Sequence, residues 1–251
     1  MSFLPIEMLR DGACELGIQL DDSQIESLDK FALLIVETNR FLNLTRITEP
    51  VEIVKSHYLD SFTCLAALTI PQGARIIDIG AGAGLPGIPI KIARPDLDVT
   101  LLDSSRKKLK FVEEAVAQLG IEGVNFVHAR AEEAGRDPAH REAYDVALAR
   151  ALAEMKILVE LCLPLVKVGG TLIAQKSDGA KDEINTARPF TGQLGGKIDK
   201  IKRITVPGTD ITRRLVIISK SKPTPLGFPR AYSQIAKGKS QRESQTAADL
   251  T

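Results

Sequence analysis

The chain has little of what builds metal centres, disulfide frameworks or membrane spans. Its three cysteines, Cys14, Cys64 and Cys162, are odd in number, far apart and without C-x-x-C spacing, so neither disulfides nor zinc is expected. Three scattered histidines add no ligand cluster, and no metal is expected from them. No apolar run of spanning length is free of charge; the best candidate, residues 76–93, contains Asp78 and Lys91. The first residues meet Glu7 and Arg10 at once, which is unlike the apolar core of a signal peptide. These absences lead to the expectation of a soluble cytoplasmic protein with no membrane partner. Nothing demands a dimer, and a monomer is expected. What the chain does have is apolar mass: 44% of its 251 residues are hydrophobic, enough for a substantial core and too many for general disorder.

A net charge of +1 implies no partner, but its distribution is uneven. Residues 1–70 carry −6, residues 71–196 carry −1 and residues 197–251 carry +8. A basic C-terminal end suits a polyanion such as RNA, or is an ordinary solvated tail.

Residues 1–70 read as a helical region. Ser23-x-x-Glu26 offers a capping box after Asp21 and Asp22, and Ile25, Leu28, Phe31, Ala32, Ile35 and Val36 then recur at helical spacing. Asn43-Leu44-Thr45 breaks the pattern as a hydrogen-bonded turn. Pro50 starts a helix running to about Leu68 that carries His57, Asp60 and Ser61. Residues 71–220 alternate strand and helix, which predicts a parallel α/β sheet. Strands are expected at 75–79, 99–103, 124–127, 144–149 and 171–174, with a helix over 106–119 ending at Gly120. Residues 198–206 and 211–219 flank Pro207-Gly208-Thr209-Asp210 and read as a hairpin, so the sheet should finish antiparallel. Residues 221–251 are polar, basic and proline-bearing, and are expected as a loose tail.

The densest signal is Asp78-Ile79-Gly80-Ala81-Gly82-Ala83-Gly84-Leu85-Pro86-Gly87, between the first strand and a helix. Glycines there let a ligand approach the backbone, and the helix start aims N–H groups at it. Counted from Gly82 the run is G-x-G-x-x-G, the dinucleotide fingerprint; counted from Gly80 it is G-x-G-x-G with Asp78 two residues before. Ligands of doubly wound sheets sit beyond the carboxyl ends of the strands. Asp103 stands there, 23 residues after Gly80, placed to accept ribose hydroxyls or simply to cap the next helix with Ser104 and Ser105. Ala131 and Glu132 follow the third strand, Arg150 the fourth and Lys176 the fifth. Glu132 could be a helix-start acid, and Arg150 or Lys176 a plain surface cation.

Asp78 suits a cofactor with a cationic amino-acid end, because a carboxylate can face an ammonium. S-adenosylmethionine has that end, and the closing hairpin favours a methyltransferase over an oxidoreductase. The fourth strand ends Leu148-Ala149-Arg150-Ala151, without the Asn-Pro-Pro-Tyr or Asp-Pro-Pro-Tyr platform of exocyclic-amine methylation. Methylation at carbon five of cytosine needs a cysteine nucleophile, and none stands at a strand end. A ring nitrogen with a free lone pair, such as position seven of guanine, needs neither device, and Arg150 could hold the neighbouring carbonyl oxygen or a phosphate.

Over about residues 25–220 the chain resembles the bacterial small-subunit ribosomal RNA guanine-N(7) methyltransferases, also called glucose-inhibited division protein B. The resemblance rests on Asn43-Leu44-Thr45, on His57 with Leu59-Asp60-Ser61, on Asp78–Gly87, and on Leu101-Leu102-Asp103-Ser104. It continues through Arg130-Ala131-Glu132, Ala149-Arg150-Ala151 and Ala174-Gln175-Lys176. It implies a class I methyltransferase fold, a Rossmann-like, mostly parallel seven-stranded sheet with a terminal antiparallel hairpin, preceded by a helical extension. It implies S-adenosylmethionine as donor and a guanine of 16S rRNA, free or in the small ribosomal subunit, as acceptor. Carried over by motif, Gly80, Gly82 and Leu85 line the cofactor loop, Asp103, Ser104 and Ser105 lie along the ribose, and Ala131 and Glu132 flank the adenine. Arg150 lies at the junction of cofactor and substrate, Lys176 is an RNA-side cation, and Asn43 and His57 have structural or RNA-positioning roles. The family often has Trp-Asn and a Tyr before the Asn-Leu-Thr run; here Thr38, Asn39 and Phe41 stand there, and the chain has no Trp. Two other readings remain at this stage: a NAD-dependent oxidoreductase using Gly82, Gly84 and Gly87, and a non-catalytic RNA-binding module of ribosome assembly using the basic end.

Overall fold

Seven strands form one sheet in the order β3-β2-β1-β4-β5-β7-β6. The computed structural model describes residues 2–235. The strands are β1 Arg75–Ile79, β2 Asp98–Asp103, β3 Val124–His128, β4 Tyr144–Arg150, β5 Val166–Ser177, β6 Gly196–Thr205 and β7 Thr212–Lys220. β1 to β5 pair in parallel, whereas β7 runs antiparallel to both β5 and β6. This is the expected class I methyltransferase sheet with its reversed closing hairpin. β5 begins at Val166, ahead of the expected 171, because the Gly169-Gly170 pair lies inside the strand instead of leading into it.

Helices cover both faces. α1 Ile6–Glu15, α2 Asp22–Asn39, α3 Pro50–Ile53, α4 Asp60–Ala67, α5 Gly87–Ala93 and α6 Arg106–Leu119 share one face. The opposite core holds residues of α7 Ala131–Ala134, α8 Met155–Cys162 and α9 Lys181–Gln193. The N-terminal helices therefore complete one of the sheet's two cores: Phe31, Ile35, Tyr58 and Phe62 pack in one cluster with Ile76, Leu148 and Ile217. α2 is capped two residues earlier than Ser23-x-x-Glu26 suggests. Asp21 accepts from Gln24 N at 2.8 Å, and Gln24 Oε1 accepts from Asp21 N at 2.9 Å, so the reciprocal box runs from Asp21 to Gln24. The helix expected from Pro50 is interrupted by a π-helical turn, Val54–Leu59, which carries His57.

Strand parity then decides where each side chain goes, because successive residues face opposite sides. On β1, Ile76 belongs to the core under the N-terminal helices and Ile77 to the other. Asp78 thus shares the side of Ile76 and reaches α5. By the same alternation Arg150 follows Leu148, Gln175 follows Ile173 and Arg213 precedes Leu215, all toward the N-terminal helices. Lys176 follows Ala174 to the opposite side.

Residues 221–235 are held in place rather than loose. Arg230 pairs with buried Glu160 at 2.6 Å, and Arg141 donates to Thr224 O and Phe228 O. Lys220, fully buried, gives its ammonium to Leu163 O, Thr224 Oγ1 and Glu142. The remainder of the expected basic tail, 236–251, lies outside the described residues. Much of the surplus positive charge is already partnered: Arg203 and Arg214 pair with Asp178, and Arg213 with Asp60. Among the described residues, no helix is long and apolar enough to cross a membrane.

Candidate active site

Two cavities open at the carboxyl ends of the parallel strands and share Leu152 and Ala153 as a wall. The wall follows β4 immediately. Ala151 there has φ +52°, a left-handed conformation that costs a residue with a Cβ roughly 1 kcal/mol or more and turns the chain sharply out of the strand. Glu183 secures the wall by accepting from Met155 N at 2.8 Å and pairing with Lys176 at 2.9 Å, while Lys176 Nζ donates to Ala153 O at 2.9 Å. Lys176 borders the second cavity but is an anchored cation, 13% exposed at its side chain, and not a free one.

The first cavity, of about 210 Å³, is lined by Gly80, Asp103, Ser104, Ala131 and Glu132, with Arg130 and Tyr232 beside them. Five of the residues expected at a nucleoside site thus meet in one place. Asp103 accepts from Gly82 N at 2.8 Å and Ser105 N at 2.7 Å, which ties the glycine loop to the start of α6 and leaves carboxylate lone pairs toward the cavity. Ser105 is the N-cap position of α6, and Leu85 is buried in the core; neither borders this cavity. Gly82 acts through the backbone N–H that Asp103 holds.

The glycines have different tasks. A Cβ on Gly80 would stand 2.9 Å from Leu152, at the cavity wall. One on Gly84 would meet Ile88 and Val112 in the core at 2.8 and 3.0 Å, and one on Gly87 would come within 2.9 Å of the Asp78 carboxylate. Gly84 and Gly87 therefore serve packing under the loop, and of the loop glycines it is Gly80 that borders the first cavity.

Asp78 lines neither cavity. Its Oδ2 accepts from Gly87 N at 2.8 Å at the start of α5. Among the described residues, its Oδ1 is the buried side-chain polar atom that has no hydrogen-bond partner. Burial pushes this carboxyl up to about 7, against the lowering effect of the Gly87 bond. An orphaned buried carboxylate oxygen beneath the loop, a ribose-type acid at the end of β2 and a cradle that a Cβ would fill together fit a nucleoside with a cationic amino-acid end.

The second cavity, of about 440 Å³, is lined by Arg150, Arg213, Asp60, His57, Gln175 and Lys176 among others. Asp60 is its hub. It pairs with Arg150 at 3.1 Å and Arg213 at 2.7 Å, and it accepts from Gln175 Nε2 at 2.7 Å. Arg150 also donates to Ser56 O in the π turn at 3.4 Å. Two arginines on one carboxylate leave a net positive cavity wall, suited to an anionic or carbonyl-bearing substrate. Asp60 and Gln175 stand in motifs of the resemblance without an expected site role, and Arg213 stands in none; alternation along β5 and β7 is the signal that could have found the last two.

His57 is a positioning group. Its Nδ1 faces Ser56 O at 3.2 Å, and a carbonyl only accepts, so the proton sits there and Nε2 accepts from the Thr45 hydroxyl at 3.0 Å. Burial, then the Arg150 charge, lowers it to about 4, so the ring stays neutral. Asn39 Oδ1 accepts from Leu44 N and Thr45 N, closing the Asn-Leu-Thr turn from the preceding helix. Cys64 and Cys162 are buried, with thiols pushed up by burial, and neither lines a cavity.

Residues 24–207 match the family described as rRNA small subunit methyltransferase G. The Ribosomal RNA small subunit methyltransferase G of Alkaliphilus metalliredigens is 47% identical over 223 residues, 89% of this chain and 93% of that protein. Its counterpart in Pelotomaculum thermopropionicum is 42% identical over 224 residues, again 89% of this chain and 94% of the other. Among solved structures, a P. horikoshii TYW2 in complex with MeSAdo superposes with a TM-score of 0.52 at 14% identity, covering 66% of this chain and 64% of that one. The YcgJ protein of Bacillus subtilis gives 0.51 at 13% identity, covering 66% of this chain and all of that one. These two likenesses concern the fold.

Proposed function

We propose, from the premise that this chain belongs to the rRNA small subunit methyltransferase G family, that it moves a methyl group from S-adenosylmethionine to the nitrogen at position seven of one guanine in 16S rRNA. The observation that carries the reading is the adjacency of the two cavities across the Leu152–Ala153 wall, one built for a nucleoside and the other for an electron-rich partner. Asp103, Ser104, Ala131 and Glu132 would hold the nucleoside, with Asp78 beneath the loop as counter-charge to its cationic end. Bound there, S-adenosylmethionine supplies an electrophilic methyl on a positive sulfur.

The acceptor side favours an atom that needs no deprotonation. His57 has both ring nitrogens engaged and is not a free base. Asp60 is saturated by two arginines and Gln175, and no thiol reaches the cavity. Among the described residues its lining holds no Phe, Tyr or Trp, so it offers none of the platform used for an exocyclic amine. Nitrogen seven of guanine brings its own lone pair, and Arg150 is the residue to hold the adjacent carbonyl oxygen or a phosphate. Orientation and charge then lower the barrier without proton transfer.

Incubation of the protein with methyl-labelled cofactor and either free 16S rRNA or small subunits tests this. Label on the ring nitrogen of one guanine is expected. Label on the protein, on another atom, or nowhere sinks the reading.

A further inference from the structure

The C-terminal segment reaches the first cavity through a residue that lies beyond the last strand of the sheet. Among the described residues Tyr232 is the one aromatic that lines that cavity; the others are small, aliphatic or charged. Its placement is built. Just before it, Arg230 is locked to Glu160, which is 1% exposed, by bonds of 2.6 and 2.8 Å. Just after it, Ile235 is buried in the core beneath α8 and α9. Upstream, Pro229 lies against Gly135 at the end of α7, and Arg136 Nε donates to Pro229 O at 2.8 Å. α7 carries Ala131 and Glu132, so the segment is fastened to the element that borders the base end of the nucleoside. Arg130 stands over the Tyr232 ring at 5.7 Å from its centroid and holds it at the rim.

We propose that Tyr232 is the platform against which the adenine of the cofactor stacks, so that the C-terminal segment forms part of the cofactor site. The inference rests on the cofactor reading above. A planar base in a cavity of otherwise aliphatic and charged walls gains most from the single flat π surface available. It also gives the anchoring of residues 221–235 a function, since a loose segment could not present a ring at a fixed place.

The protein supplies its own probe. It has no Trp and three tyrosines. Tyr58 and Tyr144 are buried, donating to Leu28 O and hydrogen-bonded to His140, whereas Tyr232 is 47% exposed. The experiment titrates the full chain with S-adenosylmethionine, and separately with adenosine, by calorimetry and by tyrosine emission. Tyr232→Ala is expected to weaken both ligands by about tenfold, whereas Tyr232→Phe keeps affinity within about twofold because the ring remains. The emission change seen in the wild type should vanish in Tyr232→Phe. Wild-type affinity in Tyr232→Ala, or an unaltered emission change in Tyr232→Phe, overturns the proposal. If Tyr232→Ala unfolds, the emission of Tyr232→Phe still decides. A wild type that binds neither ligand overturns the cofactor reading itself, and the platform with it.

Discussion

The first cavity takes its polar walls mainly from the ends of β1, β2 and β3 and what directly follows them, and its polar contacts are largely between a side chain and nearby backbone, as in Asp103 with Gly82 N and Ser105 N. The second is assembled from side chains on α4, β4, β5 and β7 that meet only at Asp60. One is a matter of local spacing and the other of register across the sheet. Under the proposed function the contrast separates two kinds of work: binding a nucleoside through backbone geometry, and holding a substrate through a network of fixed charge.

Variants can break this division if it is wrong. The largest effect is expected from Asp60→Ala, which leaves Arg150 and Arg213 without their shared carboxylate. Removing one partner of a buried charge network costs roughly 3–5 kcal/mol. Urea unfolding should show that loss, RNA methylation should fall by more than a hundredfold, and calorimetric affinity for S-adenosylmethionine should stay within about threefold. Collapse of cofactor affinity would join the two cavities into one unit.

Asp78→Asn sharpens the other side. The folded protein keeps this carboxyl protonated up to about pH 7, while the unfolded chain releases the proton at the ordinary carboxylate value near 4. The group's contribution is therefore fully present below about pH 4 and is lost as pH rises through about 7. Between pH 5 and 8 the wild type should lose roughly 2–3 kcal/mol from this group, and the variant should not. Urea unfolding of the cofactor-free proteins at the two pH values measures the difference, and parallel curves would refute it.

Asp103→Ala should weaken the cofactor by about thirtyfold, near 2 kcal/mol, because it removes a charged acceptor and frees the glycine loop. RNA affinity measured by filter binding should be unchanged. Arg150→Ala should lower turnover by at least tenfold, about 1.4 kcal/mol of barrier, with cofactor affinity kept. Unchanged single-turnover rates would take Arg150 out of the reaction.

Legibility in the sequence followed the same division. The glycine loop, Asp103, Ser104, Ala131 and Glu132 were readable because each lies at or just beyond the end of a strand whose hydrophobic run is plain. Arg150 was readable for the same reason. Its partners were not: Asp60 sits some ninety residues away, and Arg213 and Gln175 join it only because β5 lies between β4 and β7. Lys176, grouped with Arg150 by position, departs from it by parity: adjacent strand residues face opposite sides, so it anchors the wall through Ala153 and Glu183. Tyr232 was hidden in a polar, proline-bearing stretch with no periodicity to announce an ordered segment.

Hydrophobic alternation, turn chemistry and glycine spacing are encoded over a few residues, so the sequence alone determined the sheet, its reversed final hairpin and the glycine-rich loop after β1. The charge network, the side to which each strand-end cation turns, and the return of the C-terminal segment to the first cavity depend on which strands become neighbours. The packing of the two cores sets that, so only the tertiary structure decided them.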